Sequence, residues 1–334
     1  MHRTALVTGA CGFIGSHLVD QLRSDGWEVR ATDLAQASRR WLPRDVDWIP
    51  SDLTRPGTLT APLQGIDTAF HVAAVFDFSA PWERLYRANV LGTENLLKAC
   101  CNAGVRRVVS WSSYDVYGKF DRTRLPIEEN HPVAPKDPYG RSKAMQDAVV
   151  WRYHDQGLPV TILRPSAPYG PRARHGVAEL FRRLNRMPLV PVPRSLTNRV
   201  MSVHVLDVAR AASFLADSPE AAGEQVNVTD DGNFPTWEFI SFVAEALGKK
   251  SVPVWVPGSL LTAAAWALAY GSLGLARLLK VRPWLEKDTV TYLTYDFRPS
   301  NAKLKSLGFQ LSYPDPRTGI PGTIAELRRE GYLT

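Results

Sequence analysis

The segment DPYGRSKAMQ places Tyr139 four residues before Lys143. The stretch from Arg141 to Trp151 reads helical, so the two side chains fall one turn apart on the same face. A phenol beside an ammonium is a candidate proton-transfer pair, because a nearby cation favours the phenolate. The same spacing is also ordinary on helix surfaces, so the rest of the chain must decide. A second chemical signal is TGACGFIG, with Gly9, Gly12 and Gly15 between the apolar run ALVTG and an amphipathic helix that ends at Gly26. Glycines there let the backbone turn tightly and approach a pyrophosphate, while the helix offers its first N–H groups and partial positive charge to the anion. A glycine triplet alone is a plain strand-to-helix turn; the flanking strand and helix supply the context that dinucleotide binding requires. Asp33 ends the next strand. A carboxylate at that point accepts both adenosine-ribose hydroxyls and repels a 2′-phosphate, which favours NAD over NADP, although Arg39 and Arg40 nearby keep NADP in view. Asp52, in PSDLT, is placed either to meet the adenine amino group or to cap the turn that follows it.

These side chains need a frame, and the chain supplies one. The runs ALVTG, WEVRATD, VDWIP, DTAFHVAA, RRVVSWSS and VTILRP recur at intervals filled by helical segments. That alternation predicts an α/β fold: a doubly wound parallel sheet covered by helices on both faces. Beyond about residue 165 the pattern loosens, proline and arginine become frequent, and helices return with one short strand at EQVNVT. The reading is a dinucleotide-binding core over residues 1–165, with 204–230 returning to it, and a smaller, mostly helical substrate lobe from 166–203 and 231–334.

Composition narrows the partners. The chain has 334 residues, 45% hydrophobic and 22% charged, an ordinary balance for a globular protein with a sizeable core. A net charge of +7 and a pI near 9.4 favour a dinucleotide, a phosphorylated substrate or an acidic membrane surface. The basic residues are spread along the chain without a nucleic-acid-binding signature, so no nucleic-acid partner is expected. Cys11, Cys100 and Cys101 form neither a disulfide framework nor a metal spacing, and the seven histidines are scattered. No metal and a reducing, cytoplasmic setting are expected. The start MHRTALVTG reads as a strand, without the apolar run of a signal peptide.

Taken in order, these motifs resemble the extended short-chain dehydrogenase/reductase family, the NAD-dependent epimerase/dehydratase superfamily. The resemblance runs through the glycine loop, SDL at Ser51 to Leu53, HVAA at His71 to Ala74, NVLGTENLL at Asn89 to Leu97, SSYDVYG at Ser112 to Gly118, YGRSK at Tyr139 to Lys143 and LRPSAPYGP at Leu163 to Pro171. It implies a Rossmann sheet and an NAD site formed by Gly9, Gly12, Phe13, Ile14, Gly15, Asp33, Asp52, Leu53, Val72, Ala73, Ala74, Tyr139, Lys143 and Pro165. It makes Tyr139 the acid/base and Lys143 the group that tunes it and holds the nicotinamide ribose. Ser113, chosen over Ser112 by its distance from the following VYG, would bond the substrate oxygen. A free phenol titrates near 10, and the ammonium together with an oxidised nicotinamide is expected to lower that value. Family members often dimerise through a four-helix interface, which points to the helices at 89–103 and 140–155; apolar Val149, Val150 and Trp151 suit either an interface or burial.

Two features pull the substrate in different directions. SVPVWVPGSLLTAAAWALAYGSLGLA, residues 251–276, carries no charge between Lys250 and Arg277. It is long enough to cross a bilayer, but its prolines, glycines and hydroxyls favour a hydrophobic helix or helix pair in the substrate lobe, either core or lining an apolar pocket, with peripheral membrane contact as the alternative. This segment and the following VRPWL and YDFRPSNAKLKSLGF resemble the tails of the 3β-hydroxysteroid dehydrogenase and dihydroflavonol reductase-like branch, and lack the Arg-Pro-Gly-Asp stretch usual in nucleotide-sugar epimerases. Against this, Arg172, Arg174, Arg182, Arg183, Arg186, Arg194 and Arg199 face only Glu179 within their own segment. Such a cluster suits a nucleotide-sugar diphosphate, or is simply a solvated face, the preferred reading. The expectation is therefore an NAD-dependent oxidoreductase of a sterol- or steroid-like secondary alcohol. A nucleotide-sugar 4-epimerase or dehydratase with the same triad is the alternative, and a non-enzymatic dinucleotide sensor comes third because the triad is intact.

Overall fold

A computed structural model describes residues 3–118, 122–279, 290, 296 and 298–333; VRPWL, in the tail, lies outside them. Six short apolar runs form strands β1 (Thr4–Thr8), β2 (Glu28–Thr32), β3 (Asp47–Trp48), β4 (Thr68–His71), β5 (Arg107–Trp111) and β6 (Val160–Pro165). A seventh, β7 (Glu224–Val228), pairs with β6. All neighbours run parallel, in the order β7-β6-β5-β4-β1-β2-β3. The chain thus leaves β1 in one direction through β2 and β3, then crosses to β4 and continues outward on the other side. Between β1 and β4 the direction reverses, which opens a crevice beyond the strands' carboxyl ends.

Alternation along the strands divides the core in two. From β1, Ala5 and Val7 join one cluster, with Leu18, Val19 and Leu22 of α1 (Phe13–Ser24) and Val208, Ala212 and Leu215 of α5 (Val205–Asp217). Leu6 points the other way, into a cluster with Leu96 and Leu97 of α2 (Gly92–Ala103) and Val149 and Val150 of α3 (Pro138–Asp155). Val149 and Val150 are therefore consumed inside the subunit, and of the apolar residues expected at a dimer face only Trp151 stays partly exposed. An Arg152–Glu94 ion pair at 2.7 Å ties α3 to α2 across their outer surface.

A third cluster builds the lobe from α4 (Val177–Asn185), α6 (Thr236–Ala246) and α8 (Pro316–Arg329). A parallel ribbon of Leu189–Pro193 with Lys250–Val254 lies beside it. On α4, Ala178, Phe181 and Leu184 face this core while Arg182 and Arg183 face outward. The apolar segment 251–276 departs from expectation. Its start is a ribbon strand, and its remainder belongs to α7 (Gly258–Leu279), which is not a core helix. Leu261 packs partly against the lobe cluster and Ala269 is buried, but Leu260, Leu268, Tyr270 and Leu275 are exposed. The outer side of α7 thus stays exposed among the described residues.

Candidate active site

The glycine loop follows β1 directly. Gly9 has φ +66°, and a Cβ there would lie 2.8 Å from the backbone of Ala73, at the end of β4. At Gly15 a Cβ would sit 2.1 Å from the Gly9 carbonyl oxygen. Neither position has room for a side chain, so the turn after β1, the start of α1 and the strand end at Val72–Ala74 close on one another. Gly12 caps α1 without a side-chain hydrogen bond. The first-turn N–H groups of Phe13, Ile14 and Gly15 have no intrahelical acceptor. A close-fitting glycine turn under uncapped amides fits the pyrophosphate of a dinucleotide.

The other expected contacts line the same crevice unevenly. Asp33 stands at the end of β2 and accepts from the Cys11 N–H at 3.1 Å and the Leu34 N–H at 2.8 Å. Burial raises its carboxyl above the usual value while these two bonds pull it down. Arg39 and Arg40 stack on Trp48 and Trp41. The Ala73 N–H donates to Thr8 Oγ1 at 3.2 Å, with Val72 half-buried and Ala74 exposed beside it. Pro165 closes β6 and is buried. Asp52 is engaged locally: its Oδ1 accepts from both the N–H and the hydroxyl of Thr54, at 2.9 and 2.7 Å, and Arg55 lies 3.5 Å from Oδ2. That is the turn-capping arrangement. Leu53 packs half-buried against the α2–α3 core, and its carbonyl accepts from Asn95 at 2.8 Å.

Beyond β5, the two serines diverge. Ser112 donates to Asp147 Oδ2 at 2.8 Å, beneath α3. Ser113 faces the crevice, donates to Asp115 Oδ2 at 2.6 Å and hydrogen-bonds the Tyr139 phenol. Tyr139 sits in the first turn of α3, behind Pro138 and the cap Asp137, which accepts from the Gly140 N–H at 2.7 Å. One turn later, Lys143 Nζ donates to the Trp111 carbonyl and to Gln146 Oε1, both at 2.6 Å. Below them lies a buried ion pair, Arg164–Asp147, at 3.0 Å.

The electrostatics run against the expected lowering of the phenol. Burial first, then the Asp115 carboxylate, push Tyr139 well above the ordinary phenol range, and the Ser113 hydrogen bond only partly opposes them. The ammonium is turned to Trp111 and Gln146 instead, and burial draws Lys143 itself down to about 8, against the pull of Asp147. In this state Tyr139 holds its proton, as a donor to a carbonyl oxygen must. Working as a base requires added positive charge, which Lys143 and a nicotinamide cation provide together.

Several contributors have no role assigned in the sequence, although Asn89 opens NVLGTENLL and Gln146 closes DPYGRSKAMQ. Asn89, in a π-helical turn over Tyr86–Leu91, accepts from the Val75 N–H at 2.8 Å and donates to the Val75 carbonyl at 3.2 Å and to Ser142 Oγ at 2.9 Å. It thereby ties the segment after β4 to the helix bearing Tyr139 and Lys143. Gln146, three residues after Lys143, fixes the amine. Phe76 and Phe78 meet Tyr139 edge to face, with centroids 5.2 and 5.1 Å away. The irregular turn at Asn89 is itself a cue, since such turns concentrate at functional sites, but it becomes visible only in the fold.

The arginine segment is largely neutralised by acids remote in sequence. Arg172 pairs with Asp20 at 2.8 Å and Arg174 with Glu330 at 2.6 Å, while Arg182 and Arg183 share Glu179. Arg194 stacks 4.0 Å over Trp237. Among the described residues, no group of three His, Cys, Asp or Glu side chains is placed to hold a metal.

A close-fitting glycine turn at the switch point, with Ser113 beyond β5 and Tyr139 and Lys143 on α3, is the arrangement expected of a nicotinamide-dependent enzyme. Residues 5–229 match the model of the NAD dependent epimerase/dehydratase family, and the chain belongs to that family. It is 29% identical over 261 residues to sterol-4-alpha-carboxylate 3-dehydrogenase, decarboxylating, of Bos taurus, covering 75% of this chain and 72% of that one. It is similarly related to UDP-glucose 4-epimerase of Vibrio cholerae, 28% identical over 270 residues, covering 76% and 80% of the two chains. Among solved structures, UDP-glucose 4-epimerase of Thermus thermophilus in complex with NAD superposes with a TM-score of 0.76, at 28% identity, over 97% of this chain and 99% of that one. The protein is an NAD-dependent oxidoreductase of this family.

Proposed function

We propose that the enzyme moves a hydride between NAD and a ring-borne secondary alcohol or ketone on an apolar, sterol-like substrate. The observation that carries this reading is the aromatic wall of Phe76 and Phe78 packed on Tyr139. A substrate reaching the phenol passes Phe76, which is half-exposed; this surface suits a fused hydrocarbon ring better than a hydroxylated sugar. The ion-paired arginines support it, because a diphosphate would have to compete with Asp20, Glu179 and Glu330 for them. The bovine relative, named as a sterol dehydrogenase, is in line with it.

Bound NAD supplies the hydride acceptor or donor. Tyr139 exchanges the proton of the substrate oxygen, Ser113 holds that oxygen, and Lys143 contributes the charge that stabilises the phenolate. Asn89 and Gln146 keep helix and amine in place. The test is incubation with NAD and either a panel of 3β-hydroxysterols or UDP- and dTDP-sugars. NADH accumulation with a sterol supports the proposal; sugar conversion without net NADH overturns it in favour of an epimerase, the reading favoured by the similarity to the Vibrio enzyme.

A further inference from the structure

We propose that α7 and the adjoining ribbon form a docking face for an anionic lipid bilayer, on which the enzyme rests as a peripheral protein. At about 1.5 Å per residue, α7 is roughly 33 Å long. Its window Gly258–Leu275 has a mean hydropathy of 1.2, yet only 6% of it is buried. A surface helix of a globular protein turns its apolar stripe inward and its charges outward. Here Leu261 and Ala269 turn inward, but Leu260, Leu268, Leu275 and Leu278 repeat along the outward side, where Leu278 is 79% exposed.

The helix is not isolated. It starts against the end of the ribbon, where a Cβ on Gly258 would lie 3.6 Å from Ser195. The ribbon adds exposed Leu189 and Val252, and Trp255 is 83% exposed in the link between ribbon and helix. Tryptophan and tyrosine rings belong at the headgroup level of a bilayer, and Trp255, ahead of the helix, and Tyr270, on its flank, are both exposed.

Charge selects the occupant. Between Glu245 and Glu286 the chain contains no acidic residue, while Lys249, Lys250, Arg277, Lys280 and Arg282 fall within that interval. Arg186, exposed, precedes Met187 at the start of the ribbon. Leucines and an indole in a stretch of chain without an acid, bounded by Lys249 and the exposed Lys250 and with exposed Arg186 near the ribbon, match acyl chains beneath anionic headgroups, where each nearby cation contributes about 1 kcal/mol. A water-soluble partner protein would be expected to supply polar rim contacts that these residues do not offer. Leu261 and Ala269 hold the helix along the body of the protein, an in-plane pose rather than a crossing one. The proposal is independent of substrate identity.

The test is co-sedimentation of the full chain with vesicles of pure phosphatidylcholine and of an equal mixture of phosphatidylcholine and phosphatidylglycerol, without substrate. The expected result is binding at least about tenfold tighter to the mixed vesicles, reversed by high salt. L268E/L275E is expected to lose binding to both, and K249E/K250E only the preference for anionic lipid, each with the wild-type melting temperature. Equal or absent binding to the two vesicles would overturn the proposal. So would resistance of the bound protein to alkaline carbonate, which marks a spanning helix, or a dimer that L268E/L275E splits without changing vesicle binding, which assigns the face to a second copy of the chain.

Discussion

Two regions of this molecule invert the usual placement of side chains, in opposite senses. Beneath α3, Lys143, Asp147 and Arg164 are buried almost completely, each with polar or ionic partners: the Trp111 carbonyl, Gln146, Ser112 and one another. Along α7, the side chains of Leu260, Leu268, Leu275 and Leu278 are exposed. Buried charge costs free energy unless its geometry is complete, and exposed leucine forgoes about 25 cal/mol for each Å² left in water. The first arrangement finds its partners within the subunit, leaving only Asp147 Oδ1 and Arg164 Nε of this cluster without a hydrogen bond. The second is complete only with something outside it.

The largest separation between these regions is catalytic. Tyr139→Phe is expected to retain NAD binding, measured by fluorescence titration, yet lose about 10²- to 10⁴-fold in turnover; near-normal turnover would remove the phenol from the mechanism. Next comes Arg164→Met, which strands the Asp147 carboxylate under α3. Breaking such a buried pair costs about 3–5 kcal/mol, read as a lower denaturation midpoint, and an unchanged midpoint would show that the pair is not structurally coupled.

A smaller effect tests buried charge away from the catalytic helix. Asp230 accepts from Ser202 and from the Gly232 N–H, and burial raises its carboxyl from 3.8 to about 7. Its folded-state value lies above its unfolded one. Its contribution to stability is thus present at low pH and lost as pH rises through the window between those two values. Asp230→Asn is expected to flatten that decline, so that its melting temperature gains on the wild type more at pH 8 than at pH 5. A parallel displacement at both would contradict the assignment. The smallest effect is expected on α7 itself, where Leu268→Ser should alter stability by no more than about 0.5 kcal/mol. A drop of several kcal/mol would mean that the helix face is buried after all, and the contrast would fail.

The doubly wound sheet is legible in the sequence because parallel strands covered on both faces must read as short apolar runs, and VTILRP and RRVVSWSS do so. The glycine turn is legible because Gly9 and Gly15 answer to contacts that no side chain could share. What escapes is whatever depends on residues brought together only by the fold. Arg172 and Arg174 look unopposed until Asp20 and Glu330 arrive from either end of the chain. That Thr54 bonds one oxygen of Asp52, Oδ1, is visible only in the fold. For 251–276, hydropathy reports an apolar helix but not which surface it faces.

The grip of Asn89 on the segment after β4 has a wider consequence. It holds Val75 only through main-chain N–H and carbonyl groups, so the anchorage is blind to which side chains come next. The rings at Phe76 and Phe78 are therefore replaceable parts on a fixed mount. A descendant of this enzyme could exchange them to admit a different molecule while the proton-handling apparatus stays where it is.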